Sequence, residues 1–475
     1  MSDRPHILLI TTDQQRFDSL GYNHNRVLET PNLDAIAAGG VNFTRAYATC
    51  PVCIPARRTL LSGQHPATHG LRHYEDGLDW DPPFTLPGLL GQAGYQTQLV
   101  GKLHMHPQRK RYGFDHMVLS DSANLRPTSR YAAHNDYTDW LRSRGIDTHP
   151  QLNGISGNGR LARPYHLDEP FHHNAWLVQA AAEFLTKRRD PSCPWFLHLS
   201  FTAPHPPLTP PAVYYERYRG KEMPAPVLGE WVPRAEEAPR GLPPDSGFGP
   251  FDPEIIRNAW AGYYGLINHI DDCVAFLLEQ YREYGNPRQG EPIWVLFTSD
   301  HGEMLGDHHL FRKSLPFEAS AHVPFFLGGY NVEKSAGECD ALACLEDVPP
   351  TLLDLAGVDI PEGMDGHSLA PAIRGEQAPR REVLFGECGG GANNHHYVVH
   401  GDHKYIWWLA SNEEQLFDLK DDPGECRDLS GDAARLAPMR ALLAEHMAGR
   451  DHAAYDPAQL RPLDNRPPSA FPYRV

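Results

Sequence analysis

Ile7-Leu8-Leu9-Ile10-Thr11-Thr12-Asp13-Gln14 lies close to the start of the chain. A short apolar run ending in polar groups reads as a strand buried on both faces, whose carboxyl end delivers Asp13 and Gln14. Residues 293–298 repeat the pattern and run into Ser299-Asp300-His301. Residues 96–100 lead to Gly101-Lys102-Leu103-His104, and residues 195–200 precede Ala203-Pro204-His205-Pro206-Pro207. Helices are predicted at 32–39, where Leu33, Ile36 and Ala37 share a face and Gly39-Gly40 closes the turn, and at 85–94, 174–187 and 258–281. Alternating strands and helices predict an α/β fold with an open sheet, its polar clusters beyond the carboxyl ends of the strands.

Residues 206–253 are rich in Pro and Gly and read as a surface excursion without regular structure. From about residue 382 the pattern changes to short strands at 383–386, 397–400, 404–408 and 415–418, then a helix near 433–446. This predicts a small C-terminal antiparallel sheet with a helix, packed on the main unit. The division expected is 1–381 for the catalytic α/β domain and 382–475 for the C-terminal subdomain and tail.

With 475 residues, 41% of them hydrophobic, the chain can bury a large core. A net charge of -17, from 43 Lys and Arg against 60 Asp and Glu, argues against nucleic acid as partner. An anionic substrate must then be met by a local positive site. No stretch near the N-terminus has the apolar length of a signal peptide and none approaches membrane-spanning length, so no membrane partner and a cytoplasmic location are expected. Eight scattered cysteines are unlike a disulfide scaffold. Cys50-x-x-Cys53 has no second pair at zinc-site spacing.

Asp13-Gln14 and Asp300-His301, each delivered by a buried strand, can surround one divalent cation. Two carboxylates, an amide oxygen and an imidazole are mostly hard ligands, which favours Ca²⁺ and leaves Mn²⁺ as the alternative. Taken singly, Asp13 reads as a helix N-cap and Asp300 as a turn residue. The run Cys53-Ile54-Pro55-Ala56-Arg57-Arg58-Thr59-Leu60-Leu61-Ser62-Gly63 is more specific. Alone it would suit a buried thiol with proline in a first helical turn. Its Cys at position one, Pro at +2, Arg at +4 and Ser-Gly at +9 and +10 closely resemble the signature of type I sulfatases, in the alkaline phosphatase superfamily.

The resemblance extends over nearly the whole chain. Thr298 to His308 with Lys313 looks like the second sulfatase segment, Gly101-Lys102-Leu103-His104 is similar to the Gly-Lys-x-His element, and Ala203 to Pro207 to the Pro-His-x-Pro element. It implies a large central mixed, mostly parallel sheet flanked by helices. It also implies that a formylglycine-generating enzyme oxidises Cys53 to formylglycine, and that Asp13, Gln14, Cys53, Asp300 and His301 hold the metal. Cys53, Arg57, Lys102, His104, His205 and Lys313 would be catalytic. The aldehyde hydrate attacks sulfur in line and forms a covalent sulfo-enzyme, with His205 or Lys313 protonating the departing alcohol. His104 then takes the proton of the second hydroxyl, and sulfate is expelled. Fixed cations are needed because negative charge moves onto the leaving oxygen.

The substrate expected is a small-molecule or saccharide sulfate ester. Gln14 departs from the second Asp of many relatives, and Asp-Gln pairs also occur in phosphonate monoester hydrolases. A phosphonate monoester or phosphodiester hydrolase on the same site is therefore the alternative. A non-catalytic metal- or anion-binding protein with unmodified Cys53 is the alternative of another class. Asn23, His24, His73, Tyr74, His172, His173, Asn393, Asn394, His395 and His396 are candidates for an outer pocket or for plain surface hydration.

Overall fold

The computed structural model describes residues 4–121, 135–146, 154–233, 246–285, 290–377, 381–389, 394–448, 450, 455–456 and 460–462. Its strands are β1 (His6–Asp13), β2 (Val41–Phe43), β3 (Ala46–Tyr47), β4 (Gln96–Gly101), β5 (His116–Leu119), β6 (Trp195–Pro204), β7 (Ile293–Ser299), β8 (Phe325–Tyr330), β9 (Gly337–Cys339) and β10 (Ala343–Cys344), followed by β11 (Val383–Cys388), β12 (His395–His400), β13 (His403–Trp408), β14 (Glu413–Asp418), β15 (Tyr455–Asp456) and β16 (Arg461–Pro462). Eight of them form the central sheet in the order β5-β4-β6-β1-β7-β8-β2-β9. The run from β5 to β7 is parallel, and β8 is antiparallel to both its neighbours. The α/β fold with a mixed, mostly parallel sheet is therefore as expected.

β1 occupies the middle because it is apolar on both faces. Leu8 and Ile10 point into one core with Val295 and Phe297, while Ile7 and Leu9 point into the other with Trp294 and Leu296. Burying each such side chain contributes about 1.5–3 kcal/mol, so β1 joins the two layers. Its neighbours are β6 and β7, with Thr11 opposite Ser200, Thr12 opposite Ser299 and Asp13 opposite Pro204. Residues near 13, 205 and 300 thus emerge side by side at one edge of the sheet.

The helices expected at 32–39 and 85–94 are Pro31–Ala38 and Leu86–Gln92, the second capped by Thr85, whose Oγ1 accepts from the Gly88 N–H at 3.2 Å. The helix expected at 258–281 is longer, Pro253–Gln280, because Asp252 caps it and Pro253 suits a first helical turn. One expectation is corrected. The excursion 206–253 contains a helix, Ala212–Arg219, whose Tyr214, Tyr215 and Tyr218 are buried. The flanking prolines mask it: Pro211 sits just before the helix, where a proline ends nothing. Residues 234–245 of that stretch lie outside the described residues.

β11 to β14 form a four-stranded antiparallel meander. Gly401, at φ 56°, and Asp402 make the two-residue turn between β12 and β13. The helix Ala433–Met447 covers one face through Leu436, Met439, Leu443 and Met447. The other face packs Tyr397, Val399, Ile406 and Trp408 against Met304, Leu310 and Phe317 of the larger unit. A buried ion cluster reinforces this contact: Lys404 Nζ lies 2.8 Å from Glu318 Oε1 and 3.1 Å from Glu425 Oε1. Lys404→Met should destabilise the protein by about 3–5 kcal/mol, because it takes the cation away from the buried Glu425 carboxylate and from half-buried Glu318. A denaturant midpoint equal to wild type would contradict this. Among the described residues, no helix is long and apolar enough to cross a membrane.

Candidate active site

Asp13 and Asp300 arrive at the carboxyl ends of β1 and β7, and Cys53 is the first residue of the helix Cys53–Ser62. All ten residues of that helix are buried, an unusual position for Arg57 and Arg58. Arg57 is there because it is paired. Its Nε donates to Asp300 Oδ2 at 2.9 Å, and its terminal nitrogens donate to Asp13 Oδ2 at 3.3 Å, to Ser200 Oγ at 2.9 Å and to the Lys102 carbonyl at 3.0 Å. Lys102, also fully buried, donates from Nζ to Asp13 Oδ2. Two carboxylates and two cations thus neutralise one another in the floor of the site.

Ligand atoms of Asp13, Cys53, Asp300 and His301 all lie within 4.8 Å of one another. His301 Nδ1 sits 2.9 Å from the Gly302 carbonyl and donates to it, which leaves the Nε2 lone pair facing Cys53 Sγ at 3.2 Å and both carboxylates. This donor set fits a divalent cation, whose charge would make the floor net positive. Gln14 joins the group differently. Its backbone N–H donates to Asp300 Oδ1 at 3.1 Å, its Nε2 donates to Glu303, and its Oε1 accepts from Lys313 Nζ at 2.6 Å. One lone pair of Oε1 remains for an ion.

Three of the expected residues are half-buried at the rim: His104, His205 and Lys313. His205 donates from Nδ1 to the Pro206 carbonyl at 2.7 Å, so its Nε2 is the acceptor. The His104 and Leu103 N–H groups both donate to Asp121 Oδ1 at 2.7 Å, which fixes His104 in a left-handed conformation at φ 57°. Burial, then Lys102 and Arg57, keep the His104 imidazole well below its ordinary pKa. Burial, then Lys313, do the same for His205. Both are neutral bases in this field. Burial would raise the Asp13 carboxyl, but the cations Lys102, Arg57 and Lys313 hold it well below the carboxylate range. The hydrogen bonds and short contacts bring Asp13, Gln14, Cys53, Arg57, Lys102, Asp300, His301 and Lys313 around one centre, with His104 and His205 at its rim.

Sequence reasoning misses Ser200, Asp121 and Glu303. Ser200 closes a predicted strand and Glu303 stands within the quoted second segment, so position alone offers a signal; Asp121, just beyond β5, offers none. Of the outer candidates, Tyr74 reaches the site, its ring edge-on to His104 at 5.9 Å. His172 and His173 are structural: one caps a helix and bonds the Thr209 carbonyl at 3.1 Å, the other bonds Ser120 Oγ at 2.8 Å. Asn23 is buried and donates to the Phe17 carbonyl. Asn393 lies outside the described residues.

Residues 5–358 match the Sulfatase family, and residues 306–452 match the family described as N-sulphoglucosamine sulphohydrolase, C-terminal. The chain is 36% identical to an arylsulfatase of Clostridium perfringens over 467 residues, 95% of this chain and 96% of that protein. A phosphonate monoester hydrolase of Agrobacterium radiobacter superposes with a TM-score of 0.77 at 25% identity, covering 94% of this chain and 95% of the other. BT4656, solved with its substrate D-glucosamine-2-N,6-O-disulfate, shares the fold with a TM-score of 0.74 at 19% identity over 94% and 98% of the two chains. A fold, a buried metal-type centre and a sequence match that all span the chain lead to one conclusion: it belongs to the sulfatase family of the alkaline phosphatase superfamily and hydrolyses sulfate esters.

Proposed function

We propose that the chain cleaves small-molecule or saccharide sulfate monoesters with Cys53 matured to formylglycine by a formylglycine-generating enzyme. The observation that carries this is the placement of Cys53: the first residue of a buried helix, with Arg57 one turn behind it and Sγ among Asp13, Asp300 and His301. Asp13, Asp300, His301 and the position-53 side chain would hold a divalent ion, Ca²⁺ by the hardness of the donors, with Gln14 Oε1 beside them. Such an ion supplies positive charge to the sulfate oxygens and lowers the pKa of a nearby hydroxyl.

The residues divide the remaining work. Lys102 and Arg57 hold the carboxylates ionised and fix their geometry. The hydrated aldehyde at position 53 offers the nucleophilic hydroxyl, and the helix N-terminus favours negative charge there. Lys313 Nζ meets the sulfate and gives its proton to the departing oxygen, because His205 is held neutral. His205, whose Nε2 is the acceptor, stands at the rim. His104, also neutral, accepts the proton of the second hydroxyl as sulfate leaves.

A phosphonate monoester or phosphodiester carries one charge, like a sulfate monoester, so charge does not separate them. Room does, because a diester brings a second organic arm beside the nucleophile. Lys102, His205 and Lys313 close around a compact oxyanion, and kcat/KM for the best sulfate monoester should exceed that for any phosphonate or phosphodiester. Side-by-side kinetics on aryl, sugar and choline sulfates and on phosphonate monoesters and phosphodiesters test this. A phosphorus ester as the better substrate would overturn it.

A further inference from the structure

Glu303 lies two residues beyond His301 and is 2% exposed. Its carboxylate meets only donors in the hydrogen bonds described. Oε1 accepts from the backbone N–H of Leu305 at 2.9 Å and from that of Arg312, and Oε2 accepts from Gln14 Nε2. Across the Gln14 amide stands Lys313, whose Nζ donates to Oε1 at 2.6 Å.

An ionised carboxylate can only accept and an ammonium can only donate. The amide between them therefore has a single satisfied orientation, nitrogen toward Glu303 and oxygen toward Lys313. Turning it over would set oxygen against oxygen on one side and N–H against ammonium on the other, each a buried polar mismatch. Glu303 has a second grip on the same lysine. By binding the N–H groups of both Leu305 and Arg312 it ties the two ends of the loop that leads to Lys313. Leu305, His308, His309 and Arg312 all have positive φ, from 46° to 75°. Side-chain-bearing residues avoid that region, so the loop depends on such ties.

We propose that Glu303 is a positioning residue for sulfate ester hydrolysis: without touching substrate, it orients the Gln14 amide and through it holds the Lys313 ammonium at the leaving oxygen. This rests on the role given to Lys313 under the proposed function. Glu303→Gln keeps an oxygen for Leu305 and Arg312 but sets an NH₂ group against that of Gln14. Gln14→Glu sets two carboxylates against each other. The double variant Gln14→Glu/Glu303→Gln restores every partner: the new amide at position 303 donates to the new carboxylate at position 14, which also accepts from Lys313.

The test is kcat/KM for an alkyl sulfate and for a 4-nitrophenyl sulfate in both single variants, the double variant and Lys313→Ala, each checked for a wild-type-like circular dichroism spectrum. Each single variant should lose about 10–100-fold, the range for loss of an outer partner of a site residue. The loss should be larger for the alkyl ester, whose poorer leaving group needs the proton more. The double variant should recover at least about tenfold over the weaker single variant, a non-additivity expected only of residues in contact. A double variant no better than the weaker single, or equal losses on the two esters, overturns the inference about Glu303 while leaving sulfatase activity intact. Wild-type activity in Lys313→Ala would instead remove the role of Lys313, and this inference with it.

Discussion

Cys53→Ala is expected to abolish turnover, with kcat falling on the order of 10⁴-fold or more, the scale of losing a nucleophile. The neighbours of Cys53 cannot replace it. Asp13 is bonded to Lys102 and Arg57, Asp300 to Arg57 and the Gln14 N–H, and His301 presents Nε2 inward as a ligand atom. The fold should survive, since the alanine leaves the helix Cys53–Ser62 and its buried arginines unchanged. Peptide mass spectrometry of active wild-type protein should find formylglycine at position 53. Full activity in material carrying only the thiol would remove the proposed nucleophile.

Removal of a carboxylate proposed as a metal ligand should have the next largest effect. Asp13→Asn and Asp300→Asn keep the shape of the side chain but withdraw one of two negative charges that an oxygen-preferring cation needs. Metal affinity should fall by more than the roughly 10–100-fold typical of losing an outer partner. Activity should fall with it. Chelation of the wild type should likewise remove activity, and Ca²⁺ should return it. Elemental analysis decides the matter: wild-type metal content in both variants would show that neither carboxylate is a ligand. Asp13 carries the greater structural burden, because Lys102 has no exposure and loses its ionic partner. Asp300→Asn is therefore the cleaner reading of metal binding alone.

Much of this chain is legible from its sequence, for identifiable reasons. The buried strands are unbroken apolar runs, and β1 and β7 begin and end within two residues of their expected limits. The Cys53, Lys102, His205 and Asp300 segments are short and local, so each can be recognised without knowledge of its neighbours. The helix Ala212–Arg219 escapes prediction because its tyrosine stripe sits in proline-rich surroundings, and only packing on Pro253–Gln280 makes that stripe an inner face.

What the sequence by itself determined was the identity of the groups in the site and the strand ends that carry them. Only the tertiary structure decided how those groups pair. That Arg57 spans both carboxylates, that Lys102 sits on Asp13, and that Gln14 is turned by Glu303 toward Lys313 depend on segments up to 299 residues apart in the chain. Donor and acceptor complementarity in a buried site selects one arrangement of those side chains. Local patterns of hydrophobicity contain no record of that selection, because it is made only when β1, β6 and β7 bring their carboxyl ends together.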